Sequence, residues 1–205
     1  MRYVIMCGCD PKNERPKQMI IKDGEALVER TIRLLRQAGV EDIAISSRNK
    51  RFAKFGVPIL LHANTFYDQS VERRYWVDGF IPTDEPTCYV FGDVFFSDEA
   101  IQKIVDTDTD DIEFFASAPP FARNYPKNYA EPFAFKVKNQ KHFREAIHEI
   151  RRLCDEGAFT RHPISWELWQ VIKETRINWI DFSNYTVIND YSCDIDNETQ
   201  IMQWR

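Results

Sequence analysis

Tyr3-Val4-Ile5-Met6-Cys7-Gly8 is the stretch from which the rest of the chain is read. Its unbroken apolar run suits a strand buried on both faces, and Gly8 breaks it into a charged loop that ends in Arg15-Pro16-Lys17-Gln18. A helix pattern follows Asp23-Gly24, with Leu27, Thr31, Leu34, Leu35 and Ala38 at helical spacing. Asp23 is placed to cap its start and Gly39 to close its end. Strand, charged loop, lysine and helix in this order are what a nucleoside triphosphate site at the edge of a parallel sheet requires. A phosphate chain is therefore the first ligand to consider.

The alternation continues outward. Asp42 to Ser46 and Pro58 to Leu61 are expected as buried strands, Val71 to Phe80 as a helix, and Thr87-Cys88-Tyr89-Val90-Phe91 as a continuous apolar strand stopping at Gly92-Asp93. Ser97 is a cap for a helix over Asp98 to Val105, and Glu113 to Ala118 is a further strand. Beyond these come a strand over Phe133 to Val137, a long helix over Gln140 to Cys154 capped by Asn139, an aromatic-rich helix over Ser165 to Lys173, and an edge strand over Asn178 to Phe182. The pattern predicts an α/β fold, a single domain with a mostly parallel twisted sheet covered by helices on both faces. Ligands in such a fold sit beyond the carboxyl ends of the strands, where Gly8 and Asp93 both fall.

Composition narrows the classes. The chain has 205 residues, 43% of them apolar and 14% aromatic, enough for one substantial core. No run approaches the roughly 18 apolar residues of a membrane span, and Met1-Arg2-Tyr3-Val4 leads into a short strand rather than a signal segment. A net charge of −5 argues against general nucleic-acid binding. The local basic group of Arg48, Lys50, Arg51 and Lys54 is expected to be a solvated face. Five cysteines, with Cys7 and Cys9 too close for an ordinary bridge, suit a reducing compartment, and a cytoplasmic location is expected. Cys7 and Cys9 lack the second cysteine pair that a structural metal site uses. His62, His142, His148 and His162 show no arrangement for a nucleophile triad, and neither a P-loop motif nor a Gly-x-Gly-x-x-Gly after a strand is present.

The order Cys7-Gly8, Arg15-Pro16-Lys17-Gln18, Asp23-Gly24 and Glu29-Arg30-Thr31 resembles the start of the nucleotidyltransferases with a glycosyltransferase-A-like fold. These enzymes join a nucleoside monophosphate to a sugar phosphate, sialic acid, methylerythritol phosphate or the molybdenum cofactor. The resemblance extends to Val90-Phe91-Gly92-Asp93 and to Cys193-Asp194-Ile195-Asp196-Asn197-Glu198, which is similar to the family's closing Asp-rich turn. It implies a nucleotide-binding half over 1–118 and an acceptor-binding half over 119–205.

What the resemblance implies about residues is specific. Cys7, Gly8 and Gly92 would line the nucleotide, while Lys17, Arg15 and Lys12 would neutralise charge as the α-phosphorus is attacked. Asp93 would hold Mg²⁺ between phosphates, with Asp194 or Asp196 as the second carboxylate. Glu131 and Lys136 would serve the acceptor. The partners implied are a nucleoside triphosphate and a small phosphorylated or acidic acceptor. The loop departs from the family's Gly-x-Gly-x-Arg: Asp10 and Lys12 stand where glycine and arginine are usual, and the loop is about two residues shorter.

Bland alternatives accompany each of these residues: Lys17 as an exposed loop cation, Asp93 as a turn cap, and Lys136 facing either water or ligand on its alternating strand. Trp166 and Trp169 suit core packing or a dimer surface, and with Trp204 they leave room for a homodimer. Two other functions remain open. Asp194-Ile195-Asp196 spells the metal motif of a glycosyltransferase that uses a nucleotide-sugar donor, although that motif usually follows a central strand. Asp10 in the loop would suit a non-catalytic nucleotide-binding descendant.

Overall fold

The computed structural model describes residues 1–9, 14–62, 75–81, 83–118, 130–178 and 183–199. β1 (Arg2–Met6) is the apolar run read above; Val4 and Ile5 are wholly buried, as a strand covered on both faces demands. β2 (Ile21–Lys22) and β3 (Glu25–Ala26) form a small antiparallel hairpin that leads into α1 (Leu27–Gln37). This corrects the expected cap: Asp23 (φ 55°) and Gly24 (φ 83°) are the hairpin turn, and α1 starts four residues later. Consecutive left-handed residues suit an Asp-Gly pair, so the same two residues that suggested a helix start specify a hairpin. Gly39 closes α1 as expected, at φ 84° with its N–H on the Arg36 carbonyl.

The chain continues through β4 (Ile43–Ser46), β5 (Ile59–Leu60), β6 (Thr87–Phe91), β7 (Val94–Phe95), α2 (Asp98–Asp106), β8 (Ile112–Ser117), β9 (Pro132–Val137), α3 (Gln140–Asp155), α4 (Ser165–Ile172), β10 (Thr186–Ile188) and β11 (Cys193–Asp194). Ser97 Oγ accepts the Ala100 N–H, and Asn139 Oδ1 accepts the His142 N–H, as N-caps should. Two expectations fare differently. Where described, the segment before Phe80 is a single 3-10 turn over Trp76–Gly79, the rest of the proposed helix lying outside the described residues. Most of 178–182 is likewise outside them, and the edge strand is Thr186–Ile188.

A 7-stranded sheet runs in the order β10-β8-β9-β6-β1-β4-β5. β1 pairs in parallel with β4 and β6, β4 with β5, and β8 with β10, while β9 runs antiparallel to β6 and β8. The fold is α/β and largely parallel, with α1 packed beside α2 and α3 beside α4. The aromatic residues build the core beneath α3 and α4: Phe114 meets Phe135 at 4.5 Å and the edge of Trp166 at 4.9 Å. Trp166 and Trp169 are 1% and 3% exposed, which assigns both to the core. Among the described residues no helix is long and apolar enough to cross a membrane. Arg48, Lys50, Arg51 and Lys54 are exposed, the solvated face their pattern suggested.

Because β9 is antiparallel, its two ends serve opposite rims. Glu131 precedes it at the carboxyl rim of β6, whereas Lys136 pairs with Cys88 near the amino end. Lys136 is therefore corrected as an acceptor ligand. Its Nζ donates to the Val105 carbonyl at 2.8 Å and the Thr107 carbonyl at 2.6 Å, closing the carboxyl end of α2, and burial pulls its pKa down. Lys136→Met leaves those carbonyls without their donor and is expected to cost about 1–3 kcal/mol in chemical denaturation. Unchanged stability would contradict this capping role.

Candidate functional site

The carboxyl rim of the central strands carries the site. β6 ends at Phe91, the Gly92-Asp93 turn follows, and β7 leads the chain away. Gly92 extends the β1–β6 pairing by one bond, its N–H donating to the Met6 carbonyl at 3.0 Å. A Cβ at position 92 would lie 2.7 Å from Cys7 Sγ and 2.9 Å from the Met6 oxygen, so glycine is what allows the two strand ends to approach and sets the direction of Asp93.

Cys7 supports this rim from below. It is fully buried, its N–H donates to the Ser46 carbonyl, its carbonyl accepts from Ser47 Oγ, and burial together with the nearby Asp93 carboxylate pushes its thiol well up. The side chain is packing rather than ligand or nucleophile. Gly8 stands half-buried just beyond it, at the end of β1.

Lys17 enters from the other side of the loop. Pro16 (φ −58°, buried) sets the approach, and Lys17 opens a 3-10 turn, Lys17–Met19, in which Ile20 N–H bonds back to the Lys17 carbonyl. The Lys17 Nζ lies 2.6 Å from Asp93 Oδ2, 3.5 Å from Asp196 Oδ1 and 3.8 Å from Asp194 Oδ1. Burial alone would pull this ammonium down, but the Asp93, Asp194 and Asp196 carboxylates outweigh it and hold the ammonium well above the usual lysine range. One positive and three negative charges leave the cluster at −2.

The two late aspartates are delivered by backbone pairing. β11 pairs antiparallel with β7, placing Asp194 opposite Val94, and Ile195 N–H donates to the Asp93 carbonyl at 2.9 Å. Ile195 is buried, so Asp194 and Asp196 flank an inward residue and both reach the ammonium. Glu131, 1% exposed, accepts the Asp194 N–H at 2.7 Å, and its own backbone exchanges bonds with Ser117. It holds the carboxylate turn from beneath the rim. Further back, Asp190 accepts from Ser97 Oγ at 2.6 Å and from the Ser192 N–H at 2.7 Å, clamping the returning segment to the start of α2.

Lys17, Asp93, Asp194 and Asp196 are thus brought together from three distant parts of the chain. Arg15 is exposed on the segment entering Pro16, and Lys12 lies outside the described residues. Glu131 reaches the site through Asp194. The clamp of Asp190 and Ser97 escaped the sequence reading, as did Ser47 and Asn49, polar residues just past β4 at the same rim. Their position after a buried strand was the available signal. They line a recess of about 330 Å³ with Arg48, Lys50, Ile59 and Leu61. Among the described residues no three of His, Cys, Asp and Glu stand close enough to hold a metal by themselves. The carboxylates are instead spaced around the ammonium.

Comparison with known proteins bears out the fold the resemblance implied. The chain shares its fold with an inositol-1-phosphate CTP transferase from T. maritima (TM-score 0.56, 13% identity, covering 97% of this chain and 90% of that one). It is equally similar to a putative glucose-1-phosphate thymidylyltransferase from Bacillus anthracis (TM-score 0.57, 12% identity, 98% and 92%). A third likeness is to the CTP:phosphocholine cytidylyltransferase of Streptococcus pneumoniae (TM-score 0.54, 12% identity, 98% and 96%). No family sequence model and no curated relative matches the chain. At these identities the likeness establishes the fold: a glycosyltransferase-A-like α/β fold of the kind nucleotidyltransferases use.

Gly92→Ala is expected to destabilise the protein by about 1–3 kcal/mol, since the added methyl meets backbone as well as sulfur. Combining it with Cys7→Ala should recover part of the loss, because the Met6 oxygen remains in the way. Full tolerance of Gly92→Ala in thermal unfolding would contradict the close approach.

Proposed function

We propose that the protein is a nucleotidyltransferase, joining the nucleoside monophosphate part of a triphosphate to a phosphorylated or acidic acceptor. The observation that carries this reading is the meeting of Lys17 with Asp93, Asp194 and Asp196 at the carboxyl rim of the sheet. A cation on a short turn beside carboxylates with unbalanced charge has the residue types that a polyphosphate and its divalent cation require together. The neighbours of the same fold, which include a CTP transferase and two further nucleotidyltransferases by name, support the reaction class.

In this reading an acceptor oxygen, already anionic, forms a bond to the α-phosphorus while the bond to the bridging oxygen of the β-phosphate breaks. Pyrophosphate leaves with that electron pair. No general base is needed, which accounts for a site without histidine. Lys17 stabilises charge on the phosphoryl oxygens, and Arg15 just before it adds to the cationic side; the same role is assigned to Lys12 from its place in the sequence alone. The recess beside Asn49 offers the nucleoside an apolar wall formed by Ile59 and Leu61. Glu131 keeps the Asp194–Asp196 turn in register with Asp93.

The donor set fits Mg²⁺. It prefers one or two carboxylates plus substrate oxygens to an all-protein cage, and Asp93 with Asp194 or Asp196 offers that number at 19%, 21% and 50% side-chain exposure. Bound there, Mg²⁺ would neutralise phosphate charge. Asp194-Ile195-Asp196 at the same rim also supports the second reading, a glycosyltransferase using a nucleotide-sugar donor. A cytoplasmic setting belongs to the proposal; a homodimer would need a surface other than Trp166 and Trp169, which are buried in the core, and Trp204 lies outside the described residues.

The test is a screen of the four triphosphates with Mg²⁺ against pooled sugar phosphates, reading pyrophosphate. One triphosphate should support acceptor-dependent release, and Asp93→Asn should lower it by about a hundredfold or more while the circular dichroism spectrum is kept. Retained turnover in that variant would remove Asp93 from the reaction. Sugar-nucleotide binding without pyrophosphate release would favour the second reading.

A further inference from the structure

Lys17 stands among all three carboxylates that would receive a metal, and its Nζ engages Asp93 Oδ2 at 2.6 Å. A divalent cation coordinated by Asp93 and either later aspartate would need oxygen ligands within about 2.0–2.6 Å, and so would occupy much of the space the ammonium now fills. Ammonium and dication would also repel strongly at that separation. Two cations of this charge do not share the place.

We propose that Lys17 is the resident counter-ion of the metal site, and that a divalent cation enters only as a polyphosphate draws the Lys17 ammonium away. The exchange rests on the nucleotidyltransferase reading only for the identity of the polyphosphate. The backbone makes the device workable. Asp194 and Asp196 are held by the β7–β11 pairing, by the Ile195 bond to Asp93 and by Glu131, so the carboxylates stay assembled when the lysine leaves. Lys17 itself sits on a fixed turn but reaches its partners through a four-carbon stem, which can swing without moving the backbone. The three carboxylates are grouped around the ammonium, and among the described residues no three of His, Cys, Asp and Glu stand ready as a metal cage. A consequence is an order of binding: the metal arrives with the polyphosphate, and free metal does not displace Lys17 by itself.

The test uses Mn²⁺ as the probe, on protein without nucleotide. At Mn²⁺ concentrations that leave the parent unloaded, calorimetry on Lys17→Gln should show saturable binding, about tenfold or more tighter than any in the parent, because the competing charge is gone while a polar stem one bond shorter remains. The gain should vanish in Lys17→Gln combined with Asp93→Asn. Equal or weaker Mn²⁺ binding by Lys17→Gln would overturn the exchange. A second measurement is on the parent: over the Mn²⁺ range that raises the Tm of Lys17→Gln, Mn²⁺ alone should leave the parent's Tm unchanged, and an equal rise in the parent would contradict the proposal. Failure of every triphosphate to yield pyrophosphate, with the Mn²⁺ gain still observed, would sink the reaction assignment and support the exchange.

Discussion

One ammonium among three carboxylates is the constraint around which the rim of this protein is organised. Three carboxylates within 2.6–3.8 Å of one ammonium face one another as like charges, and that repulsion costs free energy in this partly exposed setting. Lys17 offsets part of that cost, and the remaining negative charge is what a cationic ligand would answer. The arrangement is held at partial exposure, where charge stays solvated enough to persist and shielded enough to matter.

The fold meets this constraint by supplying backbone, not side chains, as the scaffold. β6 ends on a turn whose glycine lets two strand ends touch, so Asp93 emerges at a fixed place. The chain then returns some hundred residues later to pair β11 with β7, and three separate anchors secure that return: the Ile195 bond to Asp93, the Glu131 bond to Asp194 and the Asp190 clamp at the start of α2. The antiparallel β9 belongs to the same solution. By running against its neighbours it begins at the carboxyl rim, where Glu131 is needed, and ends at the opposite rim, where Lys136 caps α2.

The central strands and most helix limits were legible in the sequence because their signals are local. Apolar runs gave β1, β4, β6 and β8, and Ser97 and Asn139 announced the helices they cap. Asp93 and Lys17 were legible as well, one following a buried strand and the other closing a loop. What stayed hidden depends on partners far along the chain. Alternation placed Lys136 opposite three apolar neighbours but could not say which rim it faced, since that follows from β9 being antiparallel. Glu131 was read for a ligand, whereas its buried carboxylate accepts the Asp194 backbone N–H. Asp23-Gly24 has the residue types of both a helix start and a tight turn, and the pairing of β2 with β3 decided between them. The choice between Asp194 and Asp196 did not resolve into one residue, because both reach the same ammonium.

The most direct test of the rim as a polyphosphate and metal site is anomalous diffraction from crystals soaked with Mn²⁺ and a non-hydrolysable triphosphate. The account predicts a manganese peak within coordinating distance of Asp93 and of Asp194 or Asp196, with Lys17 Nζ turned from the carboxylates onto a phosphate oxygen. A triphosphate bound elsewhere, or manganese bound there while Lys17 keeps its place against Asp93, would contradict it.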